Sequence, residues 1–262
     1  MPYTTVNDIS IYYEIQGTRQ PIVFIHGLGS STRDWENEVN YFAKNYQVIT
    51  IDLRGHGKSE KPNHHYSVPL FSTDIAQFIQ TVINTPVHLV GHSLGGMIAF
   101  QLAIDHPELL KSLCIINSGP SVIFPSLISK LRFLMRLISV RIFGMHQISH
   151  ALAKMLFPNP QQITLKNQFI QRWMENDPHG YLNSLHAFHD WDVTAKLSTI
   201  KCPTLILASD HDYTPVTYKQ FYTRLIPNAE LTVIVNSFHM ANLDQPDAVN
   251  KALENFLNKY FS

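Results

Sequence analysis

Short strand-like stretches, apolar at their centres and cut off by glycine or polar residues, recur along the whole chain. They lie at Asp8 to Glu14, Ile22 to Ile25, Val48 to Ile51, Val87 to Val90, Leu113 to Asn117, Thr204 to Ala208 and Leu231 to Val235. Runs this short, rich in Val, Ile and Leu, predict strands buried on both faces. Helical periodicity fills most of the intervals, as in Thr73 to Val82 and Ala248 to Tyr260. The alternation predicts an α/β architecture: a mainly parallel central sheet of about eight strands with helices on both faces. The rhythm breaks at Gly119-Pro120 and resumes near Asp192. Between them lies a largely helical pattern, rich in Met, Phe and Leu and too long for a plain connection. The expected organisation is a core of residues 1–119 and 192–262, with a helical insertion, 120–191, after the sixth strand.

One junction between strand and helix carries chemistry. The run Val87 to Val90 ends at Gly91-His92-Ser93-Leu94-Gly95, and a helical apolar pattern follows through Met97, Ile98, Phe100, Leu102 and Ala103. Gly-x-Ser-x-Gly between a strand and a helix forms a nucleophile elbow, a strained turn that holds the serine hydroxyl clear of the sheet. A serine nucleophile needs a base, and the base needs an orienting acid. With a Gly-x-Ser-x-Gly elbow the chain order is Ser, acid, His. Pro203 to Ala208 runs into Ser209-Asp210-His211-Asp212, and Leu231 to Val235 into Asn236-Ser237-Phe238-His239. Both sets follow C-terminal strand ends, where an open parallel sheet places its ligand crevice. Of the fourteen histidines, His239 alone follows a strand so late in the chain. His26 and His92 flank motifs and read as structural. Asp212, three residues beyond the start of the turn at Ser209, is the preferred acid over Asp210. For an oxyanion hole, the loop His26-Gly27-Leu28-Gly29 after Ile22 to Ile25 offers the Leu28 N–H, to be joined by the Leu94 N–H.

These motifs resemble the α/β-hydrolase fold superfamily over nearly the whole chain. The likeness includes His26-Gly27-Leu28-Gly29, Asp52-Leu53-Arg54-Gly55-His56-Gly57-Lys58-Ser59, the elbow, His106-Pro107-Glu108, Cys202 to Leu207 and Phe238-His239. Two positions depart from the family pattern: Ser209 and Phe238 each stand where a glycine is usual. The resemblance implies that the insertion is a cap over the active site. It also implies hydrolysis of a carboxylic ester or thioester through an acyl-enzyme, as in the carboxylesterase-like members, with Ser93, His239 and Asp212 as the triad. A carbon–carbon bond hydrolase of ring-cleavage products uses the same triad and is the runner-up. A non-catalytic ligand receptor on the same fold is the alternative from another class. Haloalkane dehalogenases and epoxide hydrolases carry an aspartate nucleophile, which Ser93 excludes.

Composition and charge narrow the setting. Formal net charge is zero over 262 residues, so nothing global points to nucleic acid or a membrane surface. No apolar run approaches the ~20 residues of a membrane span. Met1 to Thr5 lacks the basic and apolar regions of a signal peptide, and a cytoplasmic protein is expected. Cys114 and Cys202 read as buried thiols. The expected substrate is a small acyl ester, with no cofactor and no metal.

From Lys111 to Arg172 the chain has no Asp or Glu, while Lys130, Arg132, Arg136, Arg141, Lys154 and Lys166 are basic. On a helix from Pro125 to Val140, Arg132 and Arg136 share a face, with Leu127, Ile128, Leu131, Leu134, Met135 and Ile138 opposite. The expectation is a solvated cationic face over an apolar interior, or a docking surface for an anionic partner such as an acidic acyl carrier protein. A basic cap over a serine esterase is similar to the carboxylesterases that demethylate a pimeloyl-acyl-carrier-protein methyl ester.

Overall fold

The computed structural model describes residues 2–122 and 127–261, with the backbone alone at 127–130 and 132. Its strands are β1 (Tyr3–Val6), β2 (Ile9–Gln16), β3 (Pro21–Ile25), β4 (Gln47–Ile51), β5 (Val87–His92), β6 (Leu110–Ile116), β7 (Thr204–Ser209) and β8 (Ala229–Ile234). They form one eight-stranded sheet in the order β1-β2-β4-β3-β5-β6-β7-β8. β1 and β2 pair antiparallel, as do β2 and β4, and every later pairing is parallel. The expected α/β sheet is therefore present. The strand absent from the sequence reading is β1, a four-residue edge strand whose Tyr-Thr-Thr-Val carries no apolar run.

Helices α1 (Glu36–Phe42), α2 (Val68–Phe78) and α3 (Leu94–Asp105) connect the first strands. After β6 come α4 (Leu127–Leu156), α5 (Ile163–Met174) and α6 (Pro178–His186). The chain then closes with α7 (Val216–Thr223), α8 (Ala241–Asp244) and α9 (Pro246–Phe261). Alternation along β3 divides the core. Val23 and Ile25 face one cluster with Phe71, Ile75, Ile98 and Phe100 from α2 and α3. Ile22 and Phe24 face the other, with Trp35, Phe42, Leu253 and Phe256 from the α1 and α9 side. Every β3 and β5 residue is buried, so the centre of the sheet is covered on both faces.

The insertion has an apolar cluster of its own, built from Val140, Met145, Ile148, Phe157, Phe169, Trp173, Tyr181 and Leu185 among others. α4 is two helices merged across Gly144, which sits at φ 65°. α5 is tied to the loop after β3: Arg172 donates to the Arg33 carbonyl at 2.7 Å and to Asp34 and Glu36 at 3.2 and 3.0 Å. Asn176 donates to the Gly29 carbonyl at 2.7 Å.

The face expected of the first half of α4 is reversed. Leu131, Leu134, Met135 and Ile138 are 57%, 50%, 51% and 39% exposed. Phe133, Leu137 and Val140 pack inward instead, and the Arg136 guanidinium turns inward onto the Tyr181 hydroxyl. The apolar arc of this segment is much wider than one packing face, so its pattern does not choose which part of that arc is buried. Arg136 shares the packed side with Leu137, where Tyr181 supplies an acceptor. The Arg132 side chain, and the expected helix start at Pro125, lie outside the described residues. The outward surface of α4 thus offers no Arg136 for an acidic carrier protein to meet. Among the described residues no helix is long and apolar enough to cross a membrane.

Candidate active site

Ser93 sits between β5 and α3 at φ 53°, ψ −115°, a conformation that side chains other than glycine rarely adopt. Such a residue costs about 1–3 kcal/mol and persists only where its surroundings hold it. Here the Ser93 N–H donates to the Ile116 carbonyl at 3.0 Å, and Ser118 Oγ donates to the Ser93 carbonyl at 2.6 Å. A Cβ at Gly95 would collide with the Ile25 and His26 carbonyls, so only glycine lets α3 start this close to β3. Leu94 opens α3, and the first N–H groups of a helix lack intrahelical acceptors. The loop after β3 comes in from the other side: a Cβ on Gly27 would stand 3.2 Å from Ser93 Cβ. Leu28 and Leu94 therefore flank Ser93.

His239 and Asp212 converge on this serine. His239 Nε2 lies 3.0 Å from Ser93 Oγ, and Nδ1 lies 2.8 Å from Asp212 Oδ1. Asp212 is fully buried, and its second oxygen is 2.6 Å from the equally buried Lys219 Nζ. Burial pushes the Asp212 carboxyl up, but the charges and hydrogen bonds of His239 and Lys219 outweigh burial and hold it well below the usual range. With Asp212 ionised, Nδ1 carries the proton and Nε2 is free to accept one.

Asp210 has a different task. Its carboxylate accepts the N–H groups of Asn236 and Ser237 at 2.9 and 3.0 Å, pinning the loop that carries His239. Ser209, one of the departures from the family pattern, bridges Asn117 Nδ2 at 2.7 Å and Ser237 Oγ at 2.8 Å. Phe238, the other, stacks on the His211 ring. His26 and His92 hold the frame. Burial lowers them to about 4 and about 3, so both are neutral at physiological pH. His26 Nε2 accepts the Leu53 N–H, and His92 Nε2 donates to the His239 carbonyl at 2.9 Å. Asp52 likewise clamps a loop, accepting the Thr32 and Lys58 N–H groups at 2.7 and 2.8 Å.

Several residues at the site had no part in the sequence reading. Lys219 reaches Asp212 from α7, and its signal was its place on the buried face of that helix with Tyr222 and Thr223. Asn117, at φ 45°, donates from Nδ2 to the His239 carbonyl at 2.9 Å and so joins β6 to the histidine loop. Tyr213 lays its ring over the imidazole, centroids 4.2 Å apart, with its hydroxyl 2.9 Å from His239 Nε2. Met240, next to His239, belongs to the cluster of the insertion, and Leu28 packs against that cluster too. The apolar cluster of the insertion thus reaches both the histidine loop and the loop after β3. Among the described residues no group of His, Cys, Asp and Glu could hold a metal ion.

Comparison with known proteins places this geometry. A family model described as alpha/beta hydrolase fold matches residues 20–137. The enol-lactonase of Burkholderia xenovorans superposes with a TM-score of 0.91 at 24% identity, over 98% of this chain and all of that one. The chain has the α/β-hydrolase fold. It is 27% identical to the (E)-2-((N-methylformamido)methylene)succinate hydrolase of Acinetobacter baylyi over 96% of its length and 95% of that protein. It is also 27% identical to 3-oxoadipate enol-lactonase 2 of the same organism, over 98% of this chain and 96% of that one. With this fold, and similar along its length to such enzymes, the protein is a hydrolase.

Proposed function

We propose that this hydrolase cleaves a carboxylic ester, lactone or thioester through an acyl-enzyme on Ser93. The observation that carries this reading is the unbroken relay from Ser93 Oγ through His239 to Asp212, at 3.0 and 2.8 Å. His239 Nε2 takes the hydroxyl proton as Ser93 attacks the carbonyl carbon. Asp212 steadies the imidazolium that forms, and the Leu28 and Leu94 N–H groups receive the developing oxyanion. His239 then gives its proton to the leaving oxygen or sulfur. Water, deprotonated by the same imidazole, releases the acid and restores Ser93. Lactones enter because curated relatives include an enol-lactonase.

Ser93→Ala tests the reading. It should lower kcat on p-nitrophenyl esters by about 10³-fold or more, the remainder coming from the oxyanion donors and binding. A fluorophosphonate should label the native protein at Ser93 and leave the variant unlabelled. Labelling elsewhere, or activity within about tenfold of the native protein, would overturn the assignment.

A further inference from the structure

Arg136 is half-buried, and no carboxylate among the described residues pairs with its guanidinium. Nε donates to Tyr181 Oη at 2.7 Å and Nη2 donates to the same oxygen, which leaves Nη1 without an acceptor among the described residues. Tyr181 is 1% exposed, and its own O–H proton has no acceptor among the described residues. A cation withdrawn from water is costly unless an anion faces it. The helices around this one supply none: α4 and α5 contain no Asp or Glu. A guanidinium with one edge open, next to an unused tyrosine proton, is a ready-made acceptor site for a planar anion.

Its location is next to the loops that carry the site: the Tyr181 ring packs edge-on against Trp173, whose own ring stands against Gly29, the residue after Leu28. Tyr181 lies in the same cluster as Met240, the residue after His239. The outer part of Tyr213 is exposed, but its hydroxyl is turned inward, 2.9 Å from His239 Nε2. The enclosure of that hydroxyl and the Asp212 carboxylate push the phenol up, while the Arg136 cation and a hydrogen bond with Ser93 pull it down. The Arg136 charge is thus felt at the hydroxyl that touches the nucleophile and its base.

We propose that Arg136, steadied by Tyr181, binds a carboxylate of the substrate, so that the preferred substrates are esters, lactones or thioesters carrying a second, anionic group a few bonds from the scissile carbonyl. This deepens the reading of Ser93, His239 and Asp212 and rests on it for the bond that is cleaved. Carboxylate binding itself needs only Arg136 and Tyr181. A guanidinium that merely pinned α4 to α6 would be indifferent to substrate charge.

Two measurements separate these cases. The first compares kcat/KM for mono-p-nitrophenyl esters of succinic, glutaric and adipic acids with that for the same esters capped as neutral methyl diesters. The native protein should prefer the anionic ester of best length by about 10- to 100-fold, the worth of a charge-assisted hydrogen-bonded pair. Arg136→Met should bring that ratio to near one, and Arg136→Lys should recover part of it. The second titrates free glutarate by calorimetry, with thermal melts confirming that each variant is folded. Binding should weaken at least about tenfold in Arg136→Met. No charge preference in the native protein, or a ratio and a glutarate affinity that ignore Arg136, would overturn the proposal. Glutarate binding that depends on Arg136, in a protein that cleaves no ester and is not labelled at Ser93, would sink the hydrolytic reading and leave this site standing.

Discussion

Lys219→Met should change the pH dependence of the reaction more than its ceiling. The ammonium and the imidazole grip opposite oxygens of the Asp212 carboxylate, at 2.6 and 2.8 Å. Across a carboxylate their nitrogens are roughly 6 Å apart, and two positive charges at that distance repel by about 3 kcal/mol at an effective dielectric of about 20. Protonating the free enzyme's imidazole works against this repulsion. Removing it should move the acid limb of kcat/KM to higher pH by about one to two units. The imidazolium is only partly formed in the transition state and gains only part of this energy, so the plateau should rise by no more than about tenfold. Stability should fall by about 3 kcal/mol or less, since one partner of a buried pair is lost while His239 remains. Asp212 is depressed in the fold, so its contribution is fully present above the unfolded carboxyl's pKa and vanishes only as pH drops through the folded value. The stability deficit should therefore appear at neutral pH and shrink in strong acid. The assay is a kcat/KM profile from about pH 5 to about pH 9 on a neutral p-nitrophenyl ester, beside urea melts. A folded variant whose acid limb coincides with that of the native protein would refute the electrostatic argument.

The two aspartates after β7 should separate cleanly. Asp212→Asn should cost about 10³–10⁴-fold in kcat, because an amide no longer orients the imidazole. Asp210→Asn keeps one acceptor for the Asn236 and Ser237 N–H groups and should cost about 1–2 kcal/mol of stability, with kcat within about tenfold of native; equal losses of kcat in the two variants would contradict the geometry. Glu38 is fully buried with neither carboxyl oxygen hydrogen-bonded among the described residues, and burial raises its pKa well above the usual range. An acid raised in the fold takes stability away as pH climbs past its unfolded value. Glu38→Gln should therefore flatten the alkaline decline, by up to about 1.4 kcal/mol per pH unit; parallel urea-melt curves from pH 5 to 9 for both proteins would rule this out.

The frame of the molecule was legible because the central strands are unbroken apolar runs. Val87 to Val90 announces β5, and Gly91, Ser93 and Gly95 announce the turn that follows it. Counting from Ser209, where β7 ends, ranks Asp212 ahead of Asp210. Legibility fails where composition and position disagree. Lys219 is charged, and charged residues ordinarily belong to the surface, so its place on the buried face of α7 was overlooked. Asn117 looked like a strand end, although its amide knits β6 and β7 to the histidine loop. The packed face of α4 is illegible for another reason: its apolar arc is wider than one face, so the pattern leaves open which part of it turns inward.

Adjacent residues in the histidine loop answer to different parts of the molecule. The His239 carbonyl is held by His92 and Asn117, both fixed to the sheet. Met240 is packed into the cluster of the helical insertion. Within this loop the boundary between sheet and insertion thus falls on a single peptide link. A displacement of those helices would reach Met240 first, while the His239 carbonyl keeps its own anchors on the sheet. For the engineer this is a seam: the side chains around Met240 can be recut while the anchors that align His239 with Ser93 are left untouched.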